Sequence, residues 1–307
     1  MRLPELPQCP TKDYLPLDNE GVASDAPPVH SNKATAEQRS ETASGTKRPM
    51  SGKDHSILSI YETDLLVHQY LLFHYGTAED QLPYSFGPHD SLCFPQRCVS
   101  EFLPGIGKVK RSLDLGCAVG RSTFELSHWS EEVVGIDSSH RFIQSARSIQ
   151  ETGRIEIRRT EEGGVFTVLQ RELAADIRRE SCRFEVGDAI ELEPGIGFFD
   201  IVLAANLIDR VGQPRKMLRS VAQMIRPGGH LILTSPYTWL EEFTPNAEWL
   251  GGNRDDLGRA MSSLEGLSRE LEGSFDHELT KDMPFLIREH ARKFQWSVAQ
   301  ATVWKRK

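Results

Sequence analysis

The sequence lacks most of what would place a protein in a membrane, outside the cell or on nucleic acid. No apolar run approaches the ~18 residues that a membrane-crossing helix needs. The amino terminus, MRLPELPQCPTKDYLP, has no apolar core of the kind a secretory signal carries. Basic charge is in short supply: 36 Lys and Arg against 44 Asp and Glu leave a net charge of −8 over 307 residues. Polyphosphate binding needs a basic surface, so neither nucleic acid nor an anionic membrane is expected as the main partner. Cysteine is sparse, and Cys9, Cys93, Cys98, Cys117 and Cys182 form an odd, scattered set. That spacing fits neither a disulfide framework nor a zinc quartet, which points to a reduced, cytoplasmic protein with no metal site.

Residues 1–54 are rich in Pro, Ser, Thr, Asn and Gly and poor in large apolar side chains. Such a segment cannot bury enough surface to offset its chain entropy, so a disordered tail is expected there. A helical cap is expected over 55–108. In ILSIYETDLLVHQYLLFHYG the residues Ile57, Ile60, Leu65, Leu66, Tyr70, Leu71 and Phe73 recur at helical spacing, and Gly76 suits the stop. His68 and His74 lie on this apolar helix and read as structural. FPQRCVSEFLPGI reads as a second short helix opened by Pro95.

From residue 109 to 307 strands and helices alternate. VKRSLDLG, EVVGID, CRFEVGDA, FFDIVLAANLI and HLILTS read as strands; GRSTFELSHWS, HRFIQSARSIQE and QPRKMLRSVAQMI read as helices, the last ended by RPGG. This order predicts right-handed crossovers and an α/β, Rossmann-like fold with a mostly parallel sheet covered on both faces. Residues 154–182 break the rhythm as a hairpin-like insertion around Gly163-Gly164. The last segment reads as two strands joined by a charged connection, paired antiparallel.

LDLGCAVGRS (Leu113 to Ser122) is a strand, a glycine turn and a helix start. Gly116 permits a sharp turn, Gly120 a close approach, and the helix amino terminus offers N–H groups to an anion. Asp137 ends the next strand, where its carboxylate could accept both hydroxyls of a ribose. A nicotinamide dehydrogenase would be expected to show Gly-x-Gly-x-x-Gly, and Cys117-Ala118 stand where its middle glycine would be. Cys117 itself reads as a small, inert thiol.

With Asp137, the GDA around Asp188 and the RPGG turn in chain order, residues ~105–306 resemble the class I S-adenosylmethionine-dependent methyltransferases. The resemblance implies a seven-stranded sheet with an antiparallel last strand, and S-adenosylmethionine as cofactor. Asp114, Gly116, Cys117, Ala118 and Gly120 would hold the amino-acid part of the cofactor. Asp137 and Ser138 would meet its ribose, Asp188 and Ala189 its adenine, and Asn206 would line the floor near the sulfonium.

More specific are YETDLLVHQYLLFHYG, FPQRC, AANLIDR, TSPYTWLEEFTPNAEWLGG and KDMPFLIREHARKFQWSVAQATVWKR. Over residues 57–306 they are similar to the mercaptohistidine N-methyltransferases, found as the carboxy-terminal domain of ovothiol synthases or free-standing. The resemblance implies methylation of an imidazole nitrogen of 5-mercaptohistidine, the last step of ovothiol A formation. In the fused proteins an iron-dependent sulfoxide synthase precedes this domain. No such metal-ligand histidines appear in residues 1–56, so functional coupling to a separate sulfoxide synthase would be needed.

Ligands of open α/β sheets bind beyond the carboxyl ends of the strands. Tyr237, Trp239 and Glu241, just past the fifth strand, are therefore candidates for the acceptor, with Trp249 packing the loop down. Arg97 or Arg288 could grip a carboxylate as a fork. Tyr61 or His290 could take a ring proton. Asp282 and Phe285, in the connection between the last two strands, could close the pocket. Two alternatives stay open: a methyltransferase for another small thiol or imidazole, and a non-catalytic module keeping the fold.

Overall fold

The computed structural model describes residues 61–193, 195–254 and 257–307. The expected tail at 1–54, and Ile57 and Ile60 of the first helix, lie outside the described residues.

Strands β1 (Val109–Leu115), β2 (Ser130–Asp137), β5 (Cys182–Val186), β6 (Phe199–Ala205), β7 (Ile225–Ser235), β10 (Phe275–His290) and β11 (Lys293–Arg306) form the main sheet. Its order is β10-β11-β7-β6-β1-β2-β5, seven strands in all. The pairs β5/β2, β2/β1, β1/β6 and β6/β7 run parallel. β11 runs antiparallel to both β7 and β10. The expected Rossmann-like class I methyltransferase architecture is the one observed.

Both faces of the sheet are covered because its strands are apolar on both faces. In β6, Ile201 and Leu203 enter one core and Val202 and Ala204 the other, as a period of two requires. Helices α1 (Asp64–Tyr75), α2 (Ala78–Gln81), α3 (Phe94–Ser100), α4 (Leu103–Ile106), α5 (Arg121–Leu126) and α6 (His140–Thr152) come before the insertion. Of these, α1, α3, α5 and α6 supply the first core with residues such as Leu71, Phe94, Phe124 and Phe142. Helices α7 (Pro214–Met224) and α8 (Ser263–Leu271) supply the second with Met217, Leu218, Leu267 and Leu271. A fully buried side chain such as Phe275 or Phe199 contributes ~2–3 kcal/mol relative to leaving it in water. A short β8 (Asn253–Arg254) pairs with β9 (Ala260–Met261) before α8.

Three local departures have physical causes. RPGG does not precede the fifth strand but belongs to it: β7 begins at Ile225, with an irregular register opposite Phe199–Ile201. A Cβ at Gly229 would stand 2.6 Å from the Asp200 carbonyl oxygen, so glycine lets the strands close there. The connection between the last strands is only residues 291–292, and Asp282 and Phe285 are inside β10, opposite Gln300 and Ser297. Their assignment to a connecting loop is corrected by that pairing.

The insertion is the expected hairpin, β3 (Arg154–Glu162) with β4 (Val165–Glu172), a sheet of its own. A polar cluster clamps it beside α2. Asp80 closes a capping box with Thr77 and accepts from Arg171 Nε at 2.9 Å and Arg159 Nη1 at 3.4 Å. From β10, Arg288 donates to the Asp80 carbonyl at 2.8 Å and to Glu161 at 2.7 Å. Burial alone would raise the Asp80 pKa; hydrogen bonds from Arg171 and the Thr77 N–H outweigh it and hold it below the ordinary value.

Asp80→Asn is therefore expected to lower unfolding free energy by about 2 kcal/mol at neutral pH. A depressed carboxyl pKa stabilises only above its unfolded value, so the difference from wild type should fade below about pH 4. Urea unfolding at pH 7 and pH 3.5 checks this; an equal difference at both would exclude the ionised cluster as its source.

Candidate active site

The glycine turn after β1 is held by the next strand. Gly116 and Cys117 both donate their N–H to the Ile136 carbonyl, at 2.8 and 3.0 Å. Gly116 (φ +75°), Ala118 (φ +47°) and Gly120 (φ +90°) are left-handed, which glycine tolerates and alanine resists. At Gly120 a Cβ would meet the Phe184 ring at 2.7 Å, so glycine is required there for packing as well as for φ. Cys117 is buried, and burial pushes its thiol well above the ordinary range, as an inert core cysteine requires.

Asp137, at the end of β2, joins two turns. Its Oδ2 accepts the Ala118 N–H and its Oδ1 the Ser139 N–H, both at 2.9 Å. Ser139 in turn caps α6 through the Phe142 N–H at 3.1 Å. Burial raises the Asp137 pKa against these hydrogen bonds. Asp114 lies fully inside β1 and accepts from Thr123 Oγ1 at 2.7 Å. Burial pushes it up to about 7, with the Thr123 hydroxyl opposing and the Asp137 charge adding to the rise.

Beside these groups is a cavity of about 430 Å³ lined by Gly116, Asp137, Ser138, Asp188, Ala189 and Leu207, among others. Asp188 fixes the turn after β5 by accepting the Ile190 N–H at 2.8 Å. A shallower depression of about 470 Å³ on the outer side of α6 is lined by His140, Gln144, Arg147 and Glu151, away from the glycine turn. Among the described residues no cluster of His, Cys, Asp and Glu is placed to hold a metal ion, and no helix is long and apolar enough to cross a membrane.

The profile of the family described as "Methyltransferase domain" matches residues 106–282, more than half of the chain. The chain belongs to the methyltransferase domain family. Among characterised proteins it is similar to norajmaline N-methyltransferase of Rauvolfia serpentina, 26% identical over 129 residues, 42% of this chain. The chain spans only 36% of that relative's length. Among solved structures it is similar to N-methyltransferase NodS of Bradyrhizobium japonicum WM9 with S-adenosyl-L-homocysteine: 15% identity, 78% of this chain, 98% of that one, TM-score 0.46. It is likewise similar to PH0226 of Pyrococcus horikoshii OT3: 21% identity, 70% and 88% coverage, TM-score 0.43.

The cofactor of such a domain is S-adenosylmethionine, and the residues at the cavity fit it. Each Asp137 oxygen has spent one lone pair on the backbone and keeps one for a ribose hydroxyl. Asp188, Ala189 and Ile190 flank the same cavity with Leu207 opposite, an apolar slot with one acid at its edge, suited to adenine. Asn206 does not line it: left-handed at φ +52°, it bonds Thr234 through its N–H and its Oδ1 and shapes the end of β6.

The acceptor side is where sequence reasoning and structure diverge most. Trp239 is 9% exposed, donates to Ser263 Oγ at 2.8 Å and stacks on Trp249 at 6.4 Å. Trp239 holds the loop onto α8 and Trp249, donating to the Thr244 carbonyl at 2.8 Å, packs beside it, so the expected division between a substrate-facing Trp239 and a packing Trp249 is corrected. Glu241 is exposed; its neighbours Glu242 and Phe243 line the cavity instead. The Arg97 guanidinium is taken by Glu101 at 2.6 Å and by the carbonyls of Asp90 and Pro284. Arg288 belongs to the Asp80 cluster, Phe285 packs on Phe94 at 5.0 Å, and Asp282 is exposed. His290 sits at the β10–β11 turn, its Nδ1 accepting the Arg292 N–H. Apart from Glu242 and Phe243, none of these residues lines the cavity.

Tyr61 and Tyr237 do come to the strand ends. Tyr237 is left-handed at φ +52° and donates its hydroxyl to Gln300 at 3.2 Å. Tyr61 packs edge-on against Tyr70 and Phe142, at 6.3 and 5.9 Å. Burial raises both phenols, Tyr237 to about 12, so both stay protonated as donors. Tyr70, Asp209 and Arg210 were missed by sequence reasoning. Arg210 lines the cavity, lies over the Phe243 ring at 4.8 Å and donates to the Thr238 carbonyl at 2.9 Å. The available signal was an acid–base pair directly after a buried strand, in AANLIDR.

Asp137→Ala is expected to weaken S-adenosylmethionine binding by about 2–4 kcal/mol, roughly 30- to 1,000-fold, in a calorimetric titration. Asp114→Asn tests the buried acid by pH. A carboxyl whose folded pKa is raised binds its proton in the native state between about pH 4 and 7, so stability falls as pH rises across that window. The asparagine variant should lack that fall and gain up to about 4 kcal/mol relative to wild type between pH 4 and 7.5. A pH-independent difference between the two proteins would contradict it.

Proposed function

We propose that this chain is an S-adenosylmethionine-dependent N-methyltransferase that methylates an imidazole nitrogen of 5-mercaptohistidine, the last step of ovothiol A biosynthesis. What supports the reading is where the words that resemble the mercaptohistidine N-methyltransferases fall. YETDLLVHQYLLFHYG supplies Tyr61 and Tyr70, AANLIDR supplies Asp209 and Arg210, and TSPYTWLEEFTP supplies Tyr237 and Phe243. Three segments distant in sequence thus meet beyond β2, β6 and β7, next to the cofactor cradle, and all three supply aromatic or ionisable groups. The similarity to an enzyme named for N-methyl transfer supports nitrogen as the accepting atom.

The bound cofactor supplies an electrophilic sulfonium methyl. The chain has to hold the ring in line with it at ~3–3.5 Å and keep the competing thiolate away. Tyr61, Tyr70 and Phe243 offer flat surfaces to an imidazole. Tyr61 and Tyr237, both kept protonated, offer hydrogen-bond donors. Arg210, which lines the cavity, offers a cation for a substrate carboxylate, whereas Arg97 and Arg288 lie outside it. Neutral imidazole attacks through a lone pair, so transfer needs orientation more than a base.

Incubation with S-adenosylmethionine and either 5-mercaptohistidine or histidine, read by mass spectrometry, tests this. One methyl on a ring nitrogen of the first and little on the second is expected. Equal turnover of histidine, or a methyl on sulfur, refutes the acceptor.

A further inference from the structure

Apart from the two-residue strands β8 and β9, the described sheets have four edges, and three of them are closed. At β5 the Cys182 carbonyl accepts from Gln150 and the Phe184 carbonyl from Arg147 Nε and Nη2 at 3.0 and 2.7 Å, so α6 caps that edge. The β10 edge carries exposed Asp276, His277, Glu278, Lys281 and Asp282, with a register break between His277 and Leu279. It also holds Pro284, which has no N–H and whose carbonyl is taken by Arg97 at 2.9 Å. Charges, bulges and proline guard an edge against pairing with another chain. The β3 edge faces the body: the Arg158 N–H reaches His68 Nδ1 at 3.3 Å, and the Glu161 carbonyl accepts the Ala291 N–H at 3.1 Å.

The fourth edge, β4, is open. Leu173 donates to the Gly153 carbonyl at 2.9 Å, so the bonds between β3 and β4 alternate through Arg171, Leu169 and Thr167. The N–H and C=O groups of Phe166, Val168, Gln170 and Glu172 therefore point away from β3. Among the described residues only the Gln170 carbonyl has a partner there, Arg171 Nη1 at 2.7 Å. From Val165 to Leu169 the strand has no charge and no proline. Val165, Phe166 and Val168 are 65%, 52% and 49% exposed.

We infer that β4 is the interface between two copies of this chain, paired antiparallel about a two-fold axis at Val168. A strand that pairs here must bring an open edge of its own, and among the described residues that edge is β4 of a second copy. The segment is also complementary to itself. With Val168 opposite Val168, Phe166 faces Gln170, Val165 faces Arg171 and Glu172 faces Gly164, so no like charges meet. Phe166 and Val168 of both copies then share one face of a four-stranded sheet. Eight residues a side bury little area, so the dimer is weak and reversible.

Sedimentation velocity of the full chain, from about 1 to about 200 µM, is expected to show a mass rising from one chain towards two. Val168→Lys sets two ammonium groups against each other at the axis and should weaken association at least roughly tenfold, as should Val168→Glu with two carboxylates. An equal mixture of the two variants should restore the dimer, because a two-fold through residue 168 sets lysine against glutamate. Affinity for S-adenosyl-L-homocysteine, which reports folding, should be unchanged, since no hairpin residue lines the cavity. Phe166→Gln, expected to weaken association as well, carries the comparison if either charged variant does not fold. A wild-type chain that stays monomeric at every concentration, a dimer indifferent to the variants, or a mixture that stays monomeric overturns the inference.

Discussion

The site depends on one carboxylate, that of Asp137. Each oxygen takes a backbone N–H from a different segment, Ala118 in the turn after β1 and Ser139 at the start of α6. One side chain thereby sets the positions of two βα turns relative to each other. The Ile136 carbonyl, accepting from Gly116 and Cys117, fixes the same seam from the backbone. The left-handed Ala118 is tolerable because its N–H is held by a buried, charge-capable acceptor. Through Ser139 the effect reaches Phe142, whose ring contacts Tyr61 and Tyr70. The cofactor side and the aromatic acceptor side are thus positioned by one network.

The helical cap needs its own anchor, since its helices join the first core without any strand pairing to hold them. The hairpin β3–β4 provides it: Ile155 and Ile157 enter the core with Leu71 and Phe73 of α1. The Asp80 cluster ties that hairpin to α2 and β10. Its ions are partly covered, so their value depends on every member being paired. Arg288, nearly buried with an unpartnered Nε, would be the costliest to strand.

Local chemistry was legible in the sequence. The glycine turn, Asp137, the GDA after β5 and the hairpin at Gly163-Gly164 depend on neighbours in the chain, and the alternation of strands and helices followed from spacing. Pairings across long separations were not legible. Arg97 is claimed by the Pro284 carbonyl and Arg288 by Glu161, partners 187 and 127 residues away, so a free-looking fork in the sequence is spent in the fold. Trp239 looked exposed because nothing local shows that Ser263 waits for its indole N–H. Arg210 was hidden differently: it lay inside a quoted word, but its place at the cavity is a property of three dimensions.

The charge at the strand ends bears on which atom can be methylated. Asp114, Asp137 and Asp209 are all raised above the ordinary range, burial being the first cause in each. Arg210, hydrogen-bonded to Asp209, is the one cation lining the cavity among the described residues. Fields among such groups are stronger out of water than in it. For the proposed acceptor, a thiolate is the better nucleophile in solution, but bringing its charge beside those acids that are ionised would raise its energy, whereas a neutral ring nitrogen would be spared. As the methyl moves, positive charge grows on that nitrogen, and the same acids then stabilise it. For the acceptor proposed above, a site that repels the anionic nucleophile and favours the charge developing on the neutral one would select nitrogen by electrostatics, before shape is considered.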